Sequence, residues 1–274
     1  MAEDRSTFGA FLRARRDRLT PAQAGIDAFP PAGGGLRTDH YSRLEQGRQP
    51  TVSESVPTAL IRALRLNEVE AAHLRDLAAP TPARLRRQTP EVQRADPGLL
   101  RLASTLDHVP VLLLGQRAEV LAHNALLPAI LGRRLIPSSS FMDYLFRDPL
   151  ARQRIVNWAE FGARSVAAMR LETGRRPDDR KLADAVESLR PTDPDVANWW
   201  DDHTVRDYAS VPKRIAHPEA GPLDFHIEIV TAPHLPDQHL IVYTVEPDSA
   251  TARLLPILAR WATEASARDH AAVD

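Results

Sequence analysis

Val111-Leu112-Leu113-Leu114, Gly115-Gln116-Arg117 and Glu119-Val120-Leu121-Ala122 read in succession as apolar strand, turn and second strand. Short β-prone runs separated by a glycine-bearing turn predict a hairpin, and this hairpin sets the fold class. Downstream of it, helical segments are predicted at 124–131, about 149–173, 179–189 and 195–200. Strand patterns return near 211–217, 223–231 and 238–246, and a helix at 249–267 closes the chain. Two strands, a helical insert, three strands and a helix predict an α+β domain on a five-stranded antiparallel sheet.

Upstream of the hairpin the pattern is helical. Phe8, Phe11, Leu12, Arg15 and Leu19 recur at helical spacing, with Arg13, Arg16 and Arg18 largely off the apolar stripe. The stretch Ala28-Phe29-Pro30-Pro31-Ala32-Gly33-Gly34-Gly35 holds neither helix nor strand and is expected as a loop. A short helix is predicted at 38–46, stopped by Gly47, a residue suited to the left-handed position after a helix. Two more follow at 53–66 and 67–77, the second capped by Asn67 with Glu68 and Glu70 in its first turn. Pro80, Pro82, Pro90 and Pro97, interleaved with Arg84, Arg86, Arg87 and Arg94, mark a linker. The expected organisation is a mainly α domain at 1–78, a Pro/Arg-rich linker at 79–97 and the α+β domain at 98–274.

Composition narrows the function classes. The 274 residues suit two cores better than one, and the absence of cysteine excludes disulfides, thiolate zinc sites and a cysteine nucleophile. With 35 basic against 36 acidic residues, net charge −1 exerts no global pull toward nucleic acid. Lys181 and Lys213 are the only lysines, so the positive charge is almost all arginine. The acidic start Met1-Ala2-Glu3-Asp4 leads into an Arg-rich helix rather than an apolar run, and no stretch approaches the roughly 20 apolar residues that span a bilayer. A cytoplasmic location without membrane contact is expected.

The N-terminal run from Phe8 to Arg16 (Phe-Gly-Ala-Phe-Leu-Arg-Ala-Arg-Arg), with Tyr41-Ser42-Arg43-Leu44-Glu45-Gln46-Gly47-Arg48, closely resembles the helix-turn-helix of MmyB-like regulators. The second domain resembles the same family through Pro110 to Gly115, Val120-Leu121-Ala122-His123-Asn124-Ala125, Trp158, Trp200-Asp201-Asp202-His203-Thr204-Val205, His217-Pro218-Glu219-Ala220-Gly221, Asp237-Gln238-His239-Leu240 and Tyr243 to Pro247. The resemblance implies a DNA reader followed by a PAS-like domain whose cavity accepts a fatty-acid-like or other apolar small molecule, in a homodimer. One departure stands out: Leu36-Arg37 runs almost directly into Thr38-Asp39-His40, so about one supporting helix of the motif is missing. A helix-turn-helix seats its reading helix by packing it on that support. The segment from Thr20 to Ile26 is a poor substitute. If the motif still reads double-stranded DNA, Thr38, Asp39, His40, Ser42 and Arg43 would meet base edges, and Arg37 and Arg48 phosphates.

Apolar excess in the second domain points to a pocket rather than a filled core. Val111, Leu113, Val120, Ala122, Leu126, Phe141, Trp158, Phe225 and Ile227 are its expected lining, with Ile130, Leu145, Phe161 and Ile229 nearby. His123 joins them at a position where relatives of the resembled family commonly carry tryptophan. His226 and Glu228 share one strand face but lack a third ligand, and no metal or cofactor is expected. Without a phosphate loop, a nucleophile elbow or paired carboxylates, an enzyme is the less favoured class; any chemistry would fall to His123. The leading expectation is a ligand-responsive, DNA-binding transcription regulator. Its competitor is a relative that has lost DNA reading and binds or transforms a small molecule.

Overall fold

The structure is a computed structural model that describes residues 2–19, 38–46, 52–53, 55–78, 93–205 and 210–271. The chain divides into two compact units. The first comprises residues 1–88, 167–183 and 198–207, and the second 89–166, 184–197 and 208–274.

The second unit is organised by an antiparallel sheet of five strands: β1 (Val111–Gly115), β2 (Val120–His123), β3 (Val211–His217), β4 (Gly221–Ala232) and β5 (Leu235–Thr244). Their spatial order is β2-β1-β5-β4-β3, so the hairpin read from sequence docks on the last strand of the chain. Every residue of β1 is buried, which is why its sequence is an unbroken apolar run. On one face, Val111 and Leu113 of β1 and Leu240 and Val242 of β5 form a core with Leu99 and Ala103. Those two come from a helix at Pro97–Thr105, which Asp96 caps by accepting from the Gly98 and Leu99 amides, with Pro97 at its first turn. The opposite face carries Leu112, Leu114, Ile241 and Tyr243, under the helices of the insert.

The insert departs from its expected outline. The single helix expected at about 149–173 is two, Pro149–Arg154 and Trp158–Arg175, and a further helix, Phe141–Arg147, precedes them. The break serves the sheet. Ile155 bridges Ile215, the Val156 amide donates to the Arg214 carbonyl, and Asn157 Nδ2 donates to the Pro212 carbonyl at 2.9 Å. Asn157 Oδ1 in turn accepts from the Arg214 amide at 2.9 Å, so one side chain stands in for a strand along the β3 edge.

Two quoted motifs acquire physical roles here. Asn124 spends its whole amide on main chain: Nδ2 donates to the Leu106 and Val109 carbonyls, while Oδ1 accepts from the Val111 and Leu127 amides. At the β3–β4 turn, His217 Nδ1 accepts from the Ala220 amide at 3.0 Å, which leaves Nε2–H to donate to the Ala129 carbonyl at 3.1 Å. Gly221 follows at φ +76°, a backbone region that glycine occupies without strain.

The first unit is helical. Its core joins Phe8, Phe11 and Leu12 of Ala2–Asp17, Leu44 of Thr38–Glu45, Leu60 of Ser55–Ala63, Leu74 and Leu77 of Glu68–Ala78, and Val205. Asn67 and Glu70 form a reciprocal cap, the Glu70 amide donating to Asn67 Oδ1 and the Asn67 amide to Glu70 Oε2. The segment 200–205 is stitched to the first helix: Arg15 pairs with Glu70 and donates to the His203 carbonyl at 2.7 Å, and Arg18 pairs with Asp202 at 2.5 Å. Arg170 stacks 4.3 Å over the Trp200 ring and meets His203 Nδ1 at 3.0 Å. Burial, reinforced by Arg170, holds the His203 imidazole near pKa 4, so it is neutral at physiological pH.

Gly9 decides how the helices Ala2–Asp17 and Thr38–Glu45 meet. A Cβ there would run into the carbonyl of Glu45 and come within 3.1 Å of the carbonyl of Leu44, both main-chain atoms. Gly9→Ala is therefore expected to push Thr38–Glu45 off the first helix and to lower the stability of the first unit by about 1–3 kcal/mol, read by urea unfolding of the full chain. An unchanged midpoint would show that the two helices do not pack at this distance in solution.

Candidate ligand-binding cavity

On the insert-covered face of the sheet lies a cavity of about 30 Å³. Its floor is Leu112 and Leu114 of β1, Val211 of β3, Ile227 and Ile229 of β4, and Ile241 and Tyr243 of β5. Phe141 and Met142 from Phe141–Arg147, and Phe161, Arg164 and Ser165 from Trp158–Arg175, close it from above. That is small beside the several hundred Å³ of a typical ligand pocket, so a lipid-sized guest enters only if the lid yields. Met142, unbranched and with three rotatable bonds, is the adaptable piece of that lid.

Polar groups are few and placed. Ser165 Oγ donates back to the Phe161 carbonyl at 3.0 Å and is spent within its helix. Arg164 brings a guanidinium whose Nε is buried without a partner and whose Nη2 stands 3.6 Å from Glu160. Tyr243 faces the cavity and is the hydrogen-bond partner of Lys213, whose Nζ donates to its hydroxyl oxygen at 3.0 Å.

Lys213 is the unexpected residue of this region. It is 0% exposed in mid-strand, between Val211 and Ile215, which point the same way. Its Nζ lies 4.2 Å from the centroid of Phe161, 5.1 Å from Tyr243 and 5.3 Å from Phe141, three rings that also line the cavity. Burial alone, with no carboxylate opposite, pulls its pKa from 10.5 down to about 7. The same burial raises the Tyr243 hydroxyl above its ordinary value.

The residues expected from sequence fall into three groups. Phe141 and Ile227 line the cavity, and Phe225 stands beside it, edge-on to Tyr243 at 5.6 Å between ring centroids. Val111 and Leu113 point to the other face, beneath the helix Pro97–Thr105, with Ala122 opposite Leu113; alternation along β1 sends Leu112 and Leu114 to the cavity in their place. Val120, Leu126 and Trp158 are buried elsewhere in the unit, Trp158 Nε1 donating to the Leu145 carbonyl at 2.8 Å and Arg152 stacking 3.9 Å over its ring. His123 sits opposite Leu112, its ring nitrogens 2.9 Å from the Asn124 carbonyl and 3.0 Å from the Leu135 carbonyl. A neutral imidazole carries one N–H and donates to one of these oxygens at a time.

In the first unit, Thr38, Asp39 and His40 open the helix Thr38–Glu45, Ser42 is half-buried and Arg43 is exposed. Arg37, Arg48, the Thr20 to Ile26 segment and the place where a supporting helix is expected to be missing lie outside the described residues. Arg16 pairs with Glu45 at 2.7 Å and Arg13 donates to its carbonyl at 3.2 Å, so two arginines of the first helix hold the end of this one.

An antiparallel sheet of this strand order, one face carrying a largely apolar cavity under an inserted helical layer, is a PAS-like arrangement. Residues 95–258 match the family described as the MmyB-like transcription regulator ligand binding domain; the match covers more than half of the chain, and the chain belongs to that family. No curated protein matches the chain. Among the described residues no helix is long and apolar enough to cross a membrane.

Lys213 sets a pH dependence. A base whose folded pKa (about 7) lies below its unfolded one (10.5) leaves the unfolded chain binding more protons between those values, so its contribution to stability grows as pH rises from 7 toward 10. Lys213→Met, similar in length and without charge, is expected to be the more stable protein at pH 7, by an amount of order several kcal/mol that shrinks toward pH 10. Urea unfolding of both proteins at pH 7 and 9.5 checks this; parallel profiles would show that the amine is not buried.

Proposed function

We propose that this chain is a ligand-responsive, DNA-binding transcription regulator, a cytoplasmic homodimer whose second unit takes up a fatty-acid-like or other apolar small molecule. The observation that carries the reading is the apolar cavity on the sheet face of a domain belonging to a regulator family. Arg164, the charged side chain on its wall, suits an acidic end group, while Leu112, Ile227, Ile229 and Ile241 suit an alkyl chain.

The DNA-reading part rests on the helix Thr38–Glu45, seated against the first helix through Gly9 and presenting Arg43 to solvent. Thr38, Asp39, His40, Ser42 and Arg43 serve base edges, with Arg37 and Arg48 on phosphates. Coupling requires the ligand to bind two conformations unequally. The helix Trp158–Arg175 supports such coupling by covalent continuity: Phe161, Arg164 and Ser165 line the cavity, and its residues from 167 onward belong to the first unit.

Two measurements test the reading. Delipidated full-length protein is expected to gain thermal stability with dodecanoate, and Ile229→Trp, which fills the cavity from its half-buried rim, to lose that gain while remaining folded; no shift in the parent protein would remove the ligand. Fluorescence anisotropy with a duplex from the promoter of the protein's own gene and a scrambled duplex, at two salt concentrations, tests the DNA half. Arg43→Ala should cost about 1–3 kcal/mol on the preferred duplex. Equal binding to both duplexes, or none, would leave a small-molecule-binding protein that no longer reads DNA.

A further inference from the structure

We propose that the cavity also captures aliphatic aldehydes, as imines formed on the amine of Lys213. The inference rests on the cavity reading above and adds a covalent ligand class to it.

The geometry carries the proposal. Lys213 is fully buried, and its Nζ lies 4.2 Å from the ring centroid of Phe161, 5.1 Å from Tyr243 and 5.3 Å from Phe141, each of which borders the cavity. Its hydrogen-bond partner is the Tyr243 hydroxyl at 3.0 Å. Among the described residues no carboxylate faces it; the titratable groups of this region are Tyr243 of β5, Tyr144, which acts electrostatically on Tyr243, and Arg164, which lines the same cavity. An amine desolvated in this way is held substantially in its neutral, nucleophilic form near neutral pH. An aldehyde suits such a wall because both reactants meet uncharged, whereas a carboxylate at this depth would have to give up its hydration for one amine and one phenol.

The chemistry balances without an added reagent. The Nζ lone pair attacks the carbonyl carbon, and the carbonyl π electrons move to oxygen. The tyrosine hydroxyl, placed to hand a proton to that oxygen and to recover one from nitrogen, relays the transfer to a neutral carbinolamine. Loss of the hydroxyl as water, with both amine hydrogens gone from nitrogen, leaves the C=N bond. Water exclusion by the rings and by Leu112, Ile227 and Ile241 disfavours hydrolysis back. Entry requires Met142 and the Phe141 ring to move aside, since the cavity as it stands holds about 30 Å³.

The chain contains two lysines, Lys181 and Lys213, so the modified site can be assigned without ambiguity. Full-length protein is incubated with hexanal and sodium cyanoborohydride, which reduces an imine to a stable secondary amine, and adducts are read by intact and peptide mass spectrometry. One hexyl group is expected on Lys213, formed about tenfold faster at pH 8 than at pH 6 because the amine titrates between them. Tyr243→Phe should slow its formation at least several-fold while Lys181→Arg leaves it unchanged. Lys213→Met should abolish it; were that variant misfolded, the Tyr243→Phe rate and the site assignment still decide. Labelling confined to Lys181 or the N-terminus, or a Lys213 rate indifferent to pH and to Tyr243→Phe, would overturn the proposal. Hexanol, which cannot form an imine, separates the two readings: a thermal shift with hexanol but no adduct retains the cavity and discards the capture, whereas neither shift nor adduct discards both.

Discussion

Burial of both faces of the central β1–β5 pair is the constraint from which the second unit follows. A strand covered on one side needs apolar residues at alternate positions only, whereas β1 is buried at all five. One face is closed tightly by Leu99 and Ala103 of a capped helix. The other is covered by the helices Phe141–Arg147 and Trp158–Arg175, whose Phe141 and Phe161, with Tyr243 of β5, also surround the amine of Lys213. The cavity lies between these rings and the floor of the sheet. Phe141, Phe161 and Tyr243 thus serve both the cavity and the packing around Lys213.

A second dependence concerns the first unit, which is not made of N-terminal sequence alone. Residues 198–207 belong to it, and the Trp200 to Val205 stretch explains why: Val205 enters its core, Asp202 pairs with Arg18, and the His203 carbonyl receives Arg15. His73, 1% exposed and edge-on to Phe11, is kept neutral at a pKa of about 3 by burial and then by Arg170 and Arg15. Charging it would place a cation among three arginines, so this core is built to hold neutral imidazoles. The family match, which runs through 95–258, therefore includes residues that fold with the helices before it.

Much of the fold was legible because periodicity and punctuation act locally. The hairpin at 111–122, the three later strands, the closing helix and the Asn67 cap are all set by residues within a turn or two of each other. What failed to show had a distant cause. The break at 155–157 is dictated by β3, some sixty residues on, through Asn157. Which side of β1 meets the cavity was hidden because four consecutive apolar residues carry no alternation, so Val111 and Leu113 were expected where Leu112 and Leu114 stand. The burial of Lys213 was not legible because lysine reads as a surface residue; the available signal was its place in phase with Val211 and Ile215, as one of two lysines in a chain otherwise supplied with arginine.

The account turns on a buried amine packed against three rings that line an apolar cavity. With lysine as the only isotope-labelled amino acid, the chain gives two side-chain spin systems, and a pH titration of the Cε and Nζ resonances follows Lys213 directly. The account predicts that the Lys213 signal, assigned by its loss in Lys213→Met, titrates with a midpoint of about 7 and sharpens as a slowly exchanging, ring-shifted resonance. A Lys213 midpoint at the ordinary 10.5, with rapid exchange and no ring-current shift, would contradict it.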